Sequence, residues 1–460
     1  MPRKSTKPTF EAIQVELVDP NYRIRKNAVS RMARYYRVEA VEPLLNALQD
    51  GRGDVRARIV QVLTRLHDPR AFAPMQGLLA DKHLGTRMQV VRALGIFGDL
   101  SVVPLLIDLL ADPKSQIRQA AARSLGKLRD SRALPLLLAY LAHVERDELS
   151  HITLALSDFD DACVIEPLLT LLERREFMDL GGIIAEALGR MGDQAASHLL
   201  EVLADPSRTP NVRACVVLAL GKQPRPAFLQ PLLAVLGSSD CRVREYAAQA
   251  LGVLKDLSAI SPLRAILDDQ SDDSRVRASA ITALSLLGAT DAIESLITCL
   301  SSPNEFIVYT AVKALGDLHV VNAIQPLVAI LFQPDRVFAY DAVGDALCKL
   351  GDPSVVDLLL QRLPTSSSRQ CWTIVHVLMH FSDSRIIEPL IALLDPLATD
   401  SWFDEEVQKV IIGYLGKLGD TRAIQPLSVM LDLANAQRSR LSYALRRALI
   451  ALGASEQLPV

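Results

Sequence analysis

A short apolar segment with a proline near its start recurs along the 460-residue chain. Examples are VEPLLNAL from residue 41, VVPLLIDLL from 102, LQPLLAVL from 229 and IIEPLIALL from 386. Aligning the copies on the proline, or on the residue in its place, gives about 14 units of 30 to 33 residues, with one step of 37 before the last. A period of this length predicts an array of stacked units rather than several separate globular domains.

Each unit contains two segments with helical periodicity. The first, helix A, carries the proline in its first turn, where a missing N–H costs little. After a polar break such as Asp112-Pro113, helix B follows with the pattern V/I-R-x-x-A-x-x-x-L-G, and an Asp such as Asp68 or Asp99 leads into the next helix A. Apolar residues recur at i, i+3, i+4 and i+7, and only 5% of residues are aromatic, which suits closely packed helices. We therefore predict an all-α fold, an α-solenoid of about 14 stacked antiparallel helix pairs with repeats of about 31 residues.

These features resemble HEAT repeats, specifically the bacterial HEAT-like type named after phycobilisome lyases. The resemblance rests on the period, the P-L-L segment, the Asp-Pro break and the helix B pattern, and it extends from about Phe10 to Gly453. It implies the solenoid fold. Because such repeats serve many unrelated roles, it does not by itself imply one function.

An arginine in each of the first helices B lies on the apolar face of its helix. Asp precedes this arginine by six residues in four consecutive units, giving the pairs Asp19 and Arg25, Asp50 and Arg56, Asp81 and Arg87, and Asp112 and Arg118. A guanidinium group on this face is costly to bury without acceptors, so we expect each one to meet aspartates and carbonyl groups of its own or an adjacent unit. The family resemblance implies the same Asp/Arg ladder. Anion binding by these arginines is the alternative.

Departures from the repeat divide the chain into zones, which we expect to form one continuous solenoid. The zones are a polar tail (1–9), regular repeats with a basic N-terminal cap (10–142), irregular acidic repeats (143–193), regular repeats (194–306), divergent C-terminal repeats (307–453) and a second tail (454–460).

The divergent zone holds an aromatic insertion, DPLATDSWFDEE from residue 395, and both tryptophans of the chain. Trp and Phe are frequent anchors of protein interfaces, although they also fill gaps in packing. We take as candidate partner-binding residues Trp372, His376, His380, Trp402 and Phe403. The two histidines are four residues apart on one helix face, but without a third ligand we predict no metal site.

A basic face is expected at the N-terminus, where residues 1–70 hold 14 Lys or Arg against 8 Asp or Glu. On a helical wheel, one solvent-facing arc contains Arg23, Lys26, Arg31, Arg34 and Arg37. Such a face can contact nucleic-acid phosphates or an acidic protein. The alternative is a solvated cap on a first unit that has no preceding neighbour.

Motifs of catalysis are missing from the sequence. The family includes the deoxyhypusine hydroxylases, which hold iron with His-Glu pairs, but none of the eight histidines here is followed by Glu. The six cysteines form no CxxC pair, and there is no glycine-rich phosphate loop, so we predict no cofactor. The N-terminus lacks a signal-like apolar stretch and no uncharged run is long enough to span a bilayer. We expect a cytoplasmic protein that does not contact membranes.

Together these observations predict a noncatalytic scaffold or adaptor that binds one or more proteins along a concave surface lined by helices B. Two alternatives stay open. The resemblance implies a phycobilisome-lyase-like subunit for bilin attachment or for chaperoning pigment proteins, although 14 units exceed the length expected of one lyase subunit. The basic N-terminal face allows nucleic-acid binding.

Overall fold

The computed structural model describes residues 8–173, 180–381, 383–394, 402–436 and 440–454, without the side chains of residues 194, 368, 402–404 and 436. This part of the chain contains 28 α-helices and no strand. The helices alternate between type A and type B and make 14 pairs, which confirms the predicted all-α solenoid of about 14 helix pairs.

The A helices are mostly short. They are α1 (Phe10–Glu16), α3 (Val41–Asn46), α5 (Phe72–Gln76), α7 (Val103–Asp108), α9 (Leu134–Leu141), α11 (Ile165–Thr170), α13 (Asp193–Ala204), α15 (Leu229–Val235), α17 (Ile260–Asp268), α19 (Ile293–Cys299), α21 (Ile324–Leu331), α23 (Ser354–Arg362), α25 (Ile387–Ala392) and α27 (Ile424–Ala436).

The B helices are longer in most pairs. They are α2 (Tyr22–Tyr35), α4 (Gly53–Leu66), α6 (Leu84–Phe97), α8 (Ser115–Leu128), α10 (Leu149–Ser157), α12 (Gly181–Gly189), α14 (Pro210–Lys222), α16 (Cys241–Leu254), α18 (Ser274–Leu286), α20 (Glu305–Asp317), α22 (Tyr340–Leu350), α24 (Ser368–Leu378), α26 (Trp402–Leu418) and α28 (Leu441–Ala451).

The chain divides into two compact units, Met1–Pro231 and Leu232–Val460. Within the first unit, consecutive B helices from α2 to α14 pack against one another, and within the second the same holds from α16 to α28. Each unit therefore buries its apolar faces between neighbouring helix pairs. The boundaries of the zones predicted from sequence stay predictions.

Close packing of B helices depends on the glycine of the Leu-Gly pattern. A Cβ atom added to Gly126 would lie 2.7 Å from the Cα atom of Ala155, and one added to Gly252 would lie 2.7 Å from the Cα atom of Ala283. These distances are shorter than van der Waals contact, so the neighbouring helix would have to move away. The glycine is thus a packing requirement between units.

Aspartates start most of the A segments, as the sequence indicated. A carboxylate oxygen of Asp68 accepts a hydrogen bond from the backbone N–H of Arg70 at 3.0 Å, and Asp99 accepts from Ser101 at 2.8 Å. Asp383 and Asp420 do the same for the backbone N–H two residues further on. This bond occupies a backbone donor that the start of a helical segment leaves without a partner.

The ladder arginines Arg25 and Arg56 bridge consecutive helix pairs. Arg25 donates through Nε and Nη2 to the carboxylate of Asp50 in the following pair, at 2.6 and 2.8 Å, and through Nη1 to the carbonyl oxygen of Asp19 at 2.8 Å. Arg56 repeats this geometry with the Asp81 carboxylate, with both bonds at 2.6 Å. The aspartate six residues earlier therefore supplies a carbonyl oxygen, whereas the carboxylate comes from the next unit.

The next two steps of the ladder differ. Arg87 donates to the carbonyl oxygen of Asp81 at 2.8 Å and has no carboxylate partner among the described residues. Arg118 donates to the Asp112 carbonyl oxygen at 3.0 Å, to the Tyr140 hydroxyl at 3.1 Å and to the Glu148 carboxylate.

Glu148 takes the place of the missing ladder aspartate. The regular spacing of 25 residues would put the acid at position 143, which is a histidine. Glu148 is only 2% exposed, and the Tyr140 hydroxyl also donates to it. Burial, together with this carboxylate, raises the pKa of Tyr140 to about 12. A departure from the repeat pattern therefore restores the ion pair rather than breaking it.

In the second unit, Arg244 forms the equivalent bridge. It donates through Nε to the Asp272 carboxylate at 3.3 Å and through Nη1 to the carbonyl oxygen of Ser238 at 2.6 Å.

Substitution of Gly252 by Ala should destabilise the protein because the new methyl group meets the α18 backbone. We expect the free energy of unfolding to fall by about 1 to 3 kcal/mol. Gly413→Ala is the matched control, since Gly413 lies within α26 with nothing within 4 Å of the added Cβ. There, the higher helix propensity of Ala should leave stability equal or up to about 1 kcal/mol higher. Urea unfolding checks both, and equal losses in the two variants would contradict the packing role.

Loss of the Glu148 carboxylate should leave Arg118 and Tyr140 without their shared acceptor. We expect Glu148→Ala to lower the free energy of unfolding by about 2 to 4 kcal/mol. Glu145→Ala removes an acid whose side chain is 72% exposed and lies 3.9 Å from the same guanidinium. This control should change stability by less than about 1 kcal/mol. Thermal unfolding of the two variants side by side decides whether Glu148 is the ladder acid.

Candidate binding groove on the B helices

Two adjoining pockets lie on the B helices of the first unit. One, of about 520 Å³, is lined by residues of α2, α4 and the segment after α2, and the other, of about 420 Å³, by residues of α4, α6, α8 and α10. Arg65 lines both, so the two pockets adjoin at this residue. We call the two pockets together the basic groove, defined by its seven cationic residues Arg34, Arg37, Arg58, Arg65, Arg92, Arg123 and Lys127.

Carboxylates are excluded from this groove. Among the described residues, no Asp or Glu lines either pocket. Arg58 is held by neutral groups, donating to the Ser30 hydroxyl at 2.9 Å and to the Gln61 amide oxygen at 2.6 Å. The side chains of Arg65 and Arg92 are exposed. Positive charge therefore accumulates along the groove without a lining acid to balance it.

Arg123 marks the far end of the basic groove. Its Nη1 atom is buried and has no hydrogen-bond partner among the described residues. An oxygen of Asp158 lies 3.7 Å from this atom, too far for a hydrogen bond, and Asp158 also pairs with Arg190 at 3.2 Å. The row of cations thus ends beside an acid, Asp158.

His151 of α10 lines the second pocket. Burial lowers the pKa of its imidazole, and the charges of Arg123 and Arg92 lower it further. The side chain is therefore neutral near pH 7, and the positive charge of the groove comes from the arginines and the lysine.

The basic face predicted from the sequence is only partly the groove. Arg34 and Arg37 line the first pocket. Arg31 instead pairs with Glu16 of α1 at 3.0 Å, and Arg23 donates to the Tyr22 hydroxyl at 3.5 Å. Lys26 is exposed and lines neither pocket.

Five of the groove cations were missed because the wheel of one helix does not show which residues of successive helices align. Their signal is their distance from the ladder arginine of the same unit. Arg58 stands two residues after it, Arg92 and Arg123 five, and Arg65 and Lys127 nine. Comparing these three positions across the aligned repeats would have predicted the row of cations.

The C-terminal candidates do not come together as a metal site. His376 is exposed on α24, whereas His380 lies beyond the end of that helix with its ring against Phe381, at a centroid distance of 5.8 Å. Trp372 is half-buried. The side chains of Trp402 and Phe403 lie outside the described residues.

Acids at ligand spacing occur once within the described ranges, at Glu145, Asp147 and Glu148. Because Glu148 already serves Arg118 and Tyr140, this cluster belongs to the ladder. Of the helices that the structure describes, none is long and apolar enough to cross a membrane.

Among known structures, the fold of the chain is similar to those of Kap95p and Kap121p. The chain matches Kap95p, which is yeast importin-beta, in a structure with RanGDP, at 11% identity over 96% of this chain and 66% of that one, with a TM-score of 0.52. It matches Kap121p bound to Nup53p at 13% identity over 97% and 61% of the two chains, with a TM-score of 0.50. At such identities the likeness shows the fold alone.

A match to the CpcE and CpcF complex of phycocyanin lyase from Nostoc sp. PCC7120 has 23% identity, covering 50% of this chain and 94% of that one, with a TM-score of 0.29. That score is too low to support an argument about function. No curated protein matches the chain.

Two family profiles match the sequence. The profile of HEAT repeats matches residues 10–86, 41–116, 75–157, 197–285 and 269–344, and that of the PBS lyase HEAT-like repeat matches residues 182–205. The HEAT-repeat matches cover more than half of the chain. The chain therefore belongs to the HEAT-repeat family.

Proposed function

We propose that this protein is a noncatalytic scaffold that binds partner proteins along the B helices of its first unit, from α2 to α10. The observation that carries the proposal is the basic groove, a row of cations with no described acid lining it. Arginines are enriched in protein interfaces, where the planar guanidinium makes several directed hydrogen bonds.

Some groove residues are not among those that hold the helix pairs together. Contacts between units use the largely covered ladder arginines, such as Arg56, and the Leu-Gly glycines, such as Gly126. Gln61, Arg65 and Arg92 are exposed instead. Exposed side chains of this kind, gathered in two adjoining pockets, can form a binding surface.

The fold is compatible with this role. Kap121p, which has a similar fold, is seen bound to Nup53p, and Kap95p is seen with RanGDP. These proteins support protein binding as a use of the fold and leave the partner of this chain to be found by experiment.

Site-specific photocrosslinking in the native host tests the proposal. A photoreactive phenylalanine analogue replaces Gln61 or Ile96 on the B helices, or as matched controls Leu105 or Leu136, which are 36% and 45% exposed on A helices. We expect protein adducts at the first two positions and few at the controls, because the partner lies on the B helices. Adducts only at the A-helix positions would contradict this location.

The aromatic insertion is a second proposed contact, supported by the sequence alone. We expect Trp402→Ala combined with Phe403→Ala to weaken capture of the main partner by roughly tenfold, as for loss of an interface anchor. Affinity purification from the native host measures the capture, and circular dichroism checks that helicity is unchanged. Undiminished capture by a normally helical variant would remove the insertion from the binding surface.

A further inference from the structure

We propose that the basic groove binds an extended acidic polypeptide segment of a partner protein, with a carboxylate at about every third residue of the segment. This inference rests on the proposed function. The segment runs across the B helices from α2 to α10. The charge, geometry and apolar content of the groove lead to this assignment.

Charge complementarity identifies the ligand as an anion. Residues 1–132 hold 23 Lys or Arg against 13 Asp or Glu, and none of these 13 acids lines the groove. Several acids are engaged elsewhere, such as Asp50 and Asp81 in the ladder and Asp68 in a turn. Seven of these cations line the groove, and only Arg123 among them has a described acid nearby, Asp158, so an external anion can balance the charge of the others.

The protein shows within its own fold how its arginines bind an acid. Arg25 and Arg56 each hold a carboxylate through two parallel N–H donors at 2.6 to 2.8 Å. Arg65 and Arg92 carry the same group on exposed side chains. An incoming carboxylate would give these donors the partner that the ladder arginines already have.

The spacing of the cations fits an extended chain. Packed helices lie about 8 to 10 Å apart, and an extended polypeptide advances about 3.3 Å per residue, so one helix-to-helix step equals about three residues. The cations extend from α2 to α8, which is three such steps, and a fourth step to His151 on α10 brings the length of the crossing to about 12 residues. Gln61 and Gln89 lie between the cations, where their amide groups can pair with the backbone of the bound segment.

The lining favours a polypeptide over a nucleic acid. No described Phe, Tyr or Trp lines either pocket, whereas proteins that bind single strands usually stack bases on such side chains. Accessible apolar side chains do line the groove, including Ala33, Leu66 and Ile96. These apolar side chains can contact the residues of the peptide that lie between its acidic residues.

Fluorescence anisotropy with the full chain tests the assignment. The probe is a fluorescein-labelled peptide of about 12 residues built from Glu-Gly-Ser repeats, and the control peptide has Lys in place of Glu. We expect saturable binding of the acidic peptide and no binding of the Lys peptide. The affinity should fall as the salt concentration rises, since the contacts are ionic. Arg65→Glu with Arg92→Glu should weaken binding by roughly tenfold or more through charge repulsion.

The matched control is Lys82→Glu with Lys114→Glu, which makes the same change of net charge at exposed residues outside the groove. Binding by this control should stay within roughly twofold of the original, because screening weakens distant charges. Equal losses in the two double variants would overturn the groove as the site, as would failure of the acidic peptide to bind.

A single-stranded or duplex oligonucleotide of similar length serves as the competing probe. If it binds more tightly than the acidic peptide and loses binding with Arg65→Glu and Arg92→Glu, the assignment to a polypeptide is wrong. The proposed function fails separately. If crosslinks form at Gln61 or Ile96 but the acidic peptide does not bind, the protein is a scaffold with a different specificity. If neither crosslinks nor peptide binding is observed, the scaffold proposal is wrong as well.

Discussion

Each helix pair of this protein leaves an apolar face that only the next pair can cover. The close approach of consecutive B helices meets this constraint, and it is possible only because the Leu-Gly glycine has no side chain where the neighbouring backbone passes, as at Gly126 and Gly252. In several units, ladder ion pairs then tie the next loop to the helix before it, through Arg25, Arg56, Arg118 and Arg244. The position of every B helix, and of the groove across them, follows from this stacking.

Arginine has two roles here, and its place in the repeat decides between them. The arginine at the start of helix B points towards the next loop and is covered there, with the side chains of Arg25 and Arg56 only 14% and 16% exposed. Arginines two, five or nine residues later, such as Arg58, Arg92 and Arg65, line the groove. The same side chain thus stabilises the stack in one row and forms a charged surface in another.

The period and the apolar spacing were sufficient to predict the helix pairs and their number, because both are local properties that recur in every unit. They did not predict the role of Glu148. This residue follows its arginine, Arg118, by 30 positions rather than by the 25 of the regular ladder, and the path of the loop decides whether its carboxylate reaches the guanidinium. Only two of the seven groove cations were predicted. Arg34 and Arg37 were found on the wheel of one predicted helix, but the alignment with Arg65 and Arg92 depends on the register between helices.

The division of arginines into a covered row and an open row is the central claim of this account, and chemical modification tests it directly. Brief treatment of the native protein with phenylglyoxal, read by peptide mass spectrometry, gives the rate of modification at each arginine. Arg65 and Arg92 should react roughly tenfold faster than Arg25, Arg56 and Arg118, because the ladder arginines react only after local opening, and the difference should vanish in urea. Equal rates in the two rows of the native protein would contradict the account.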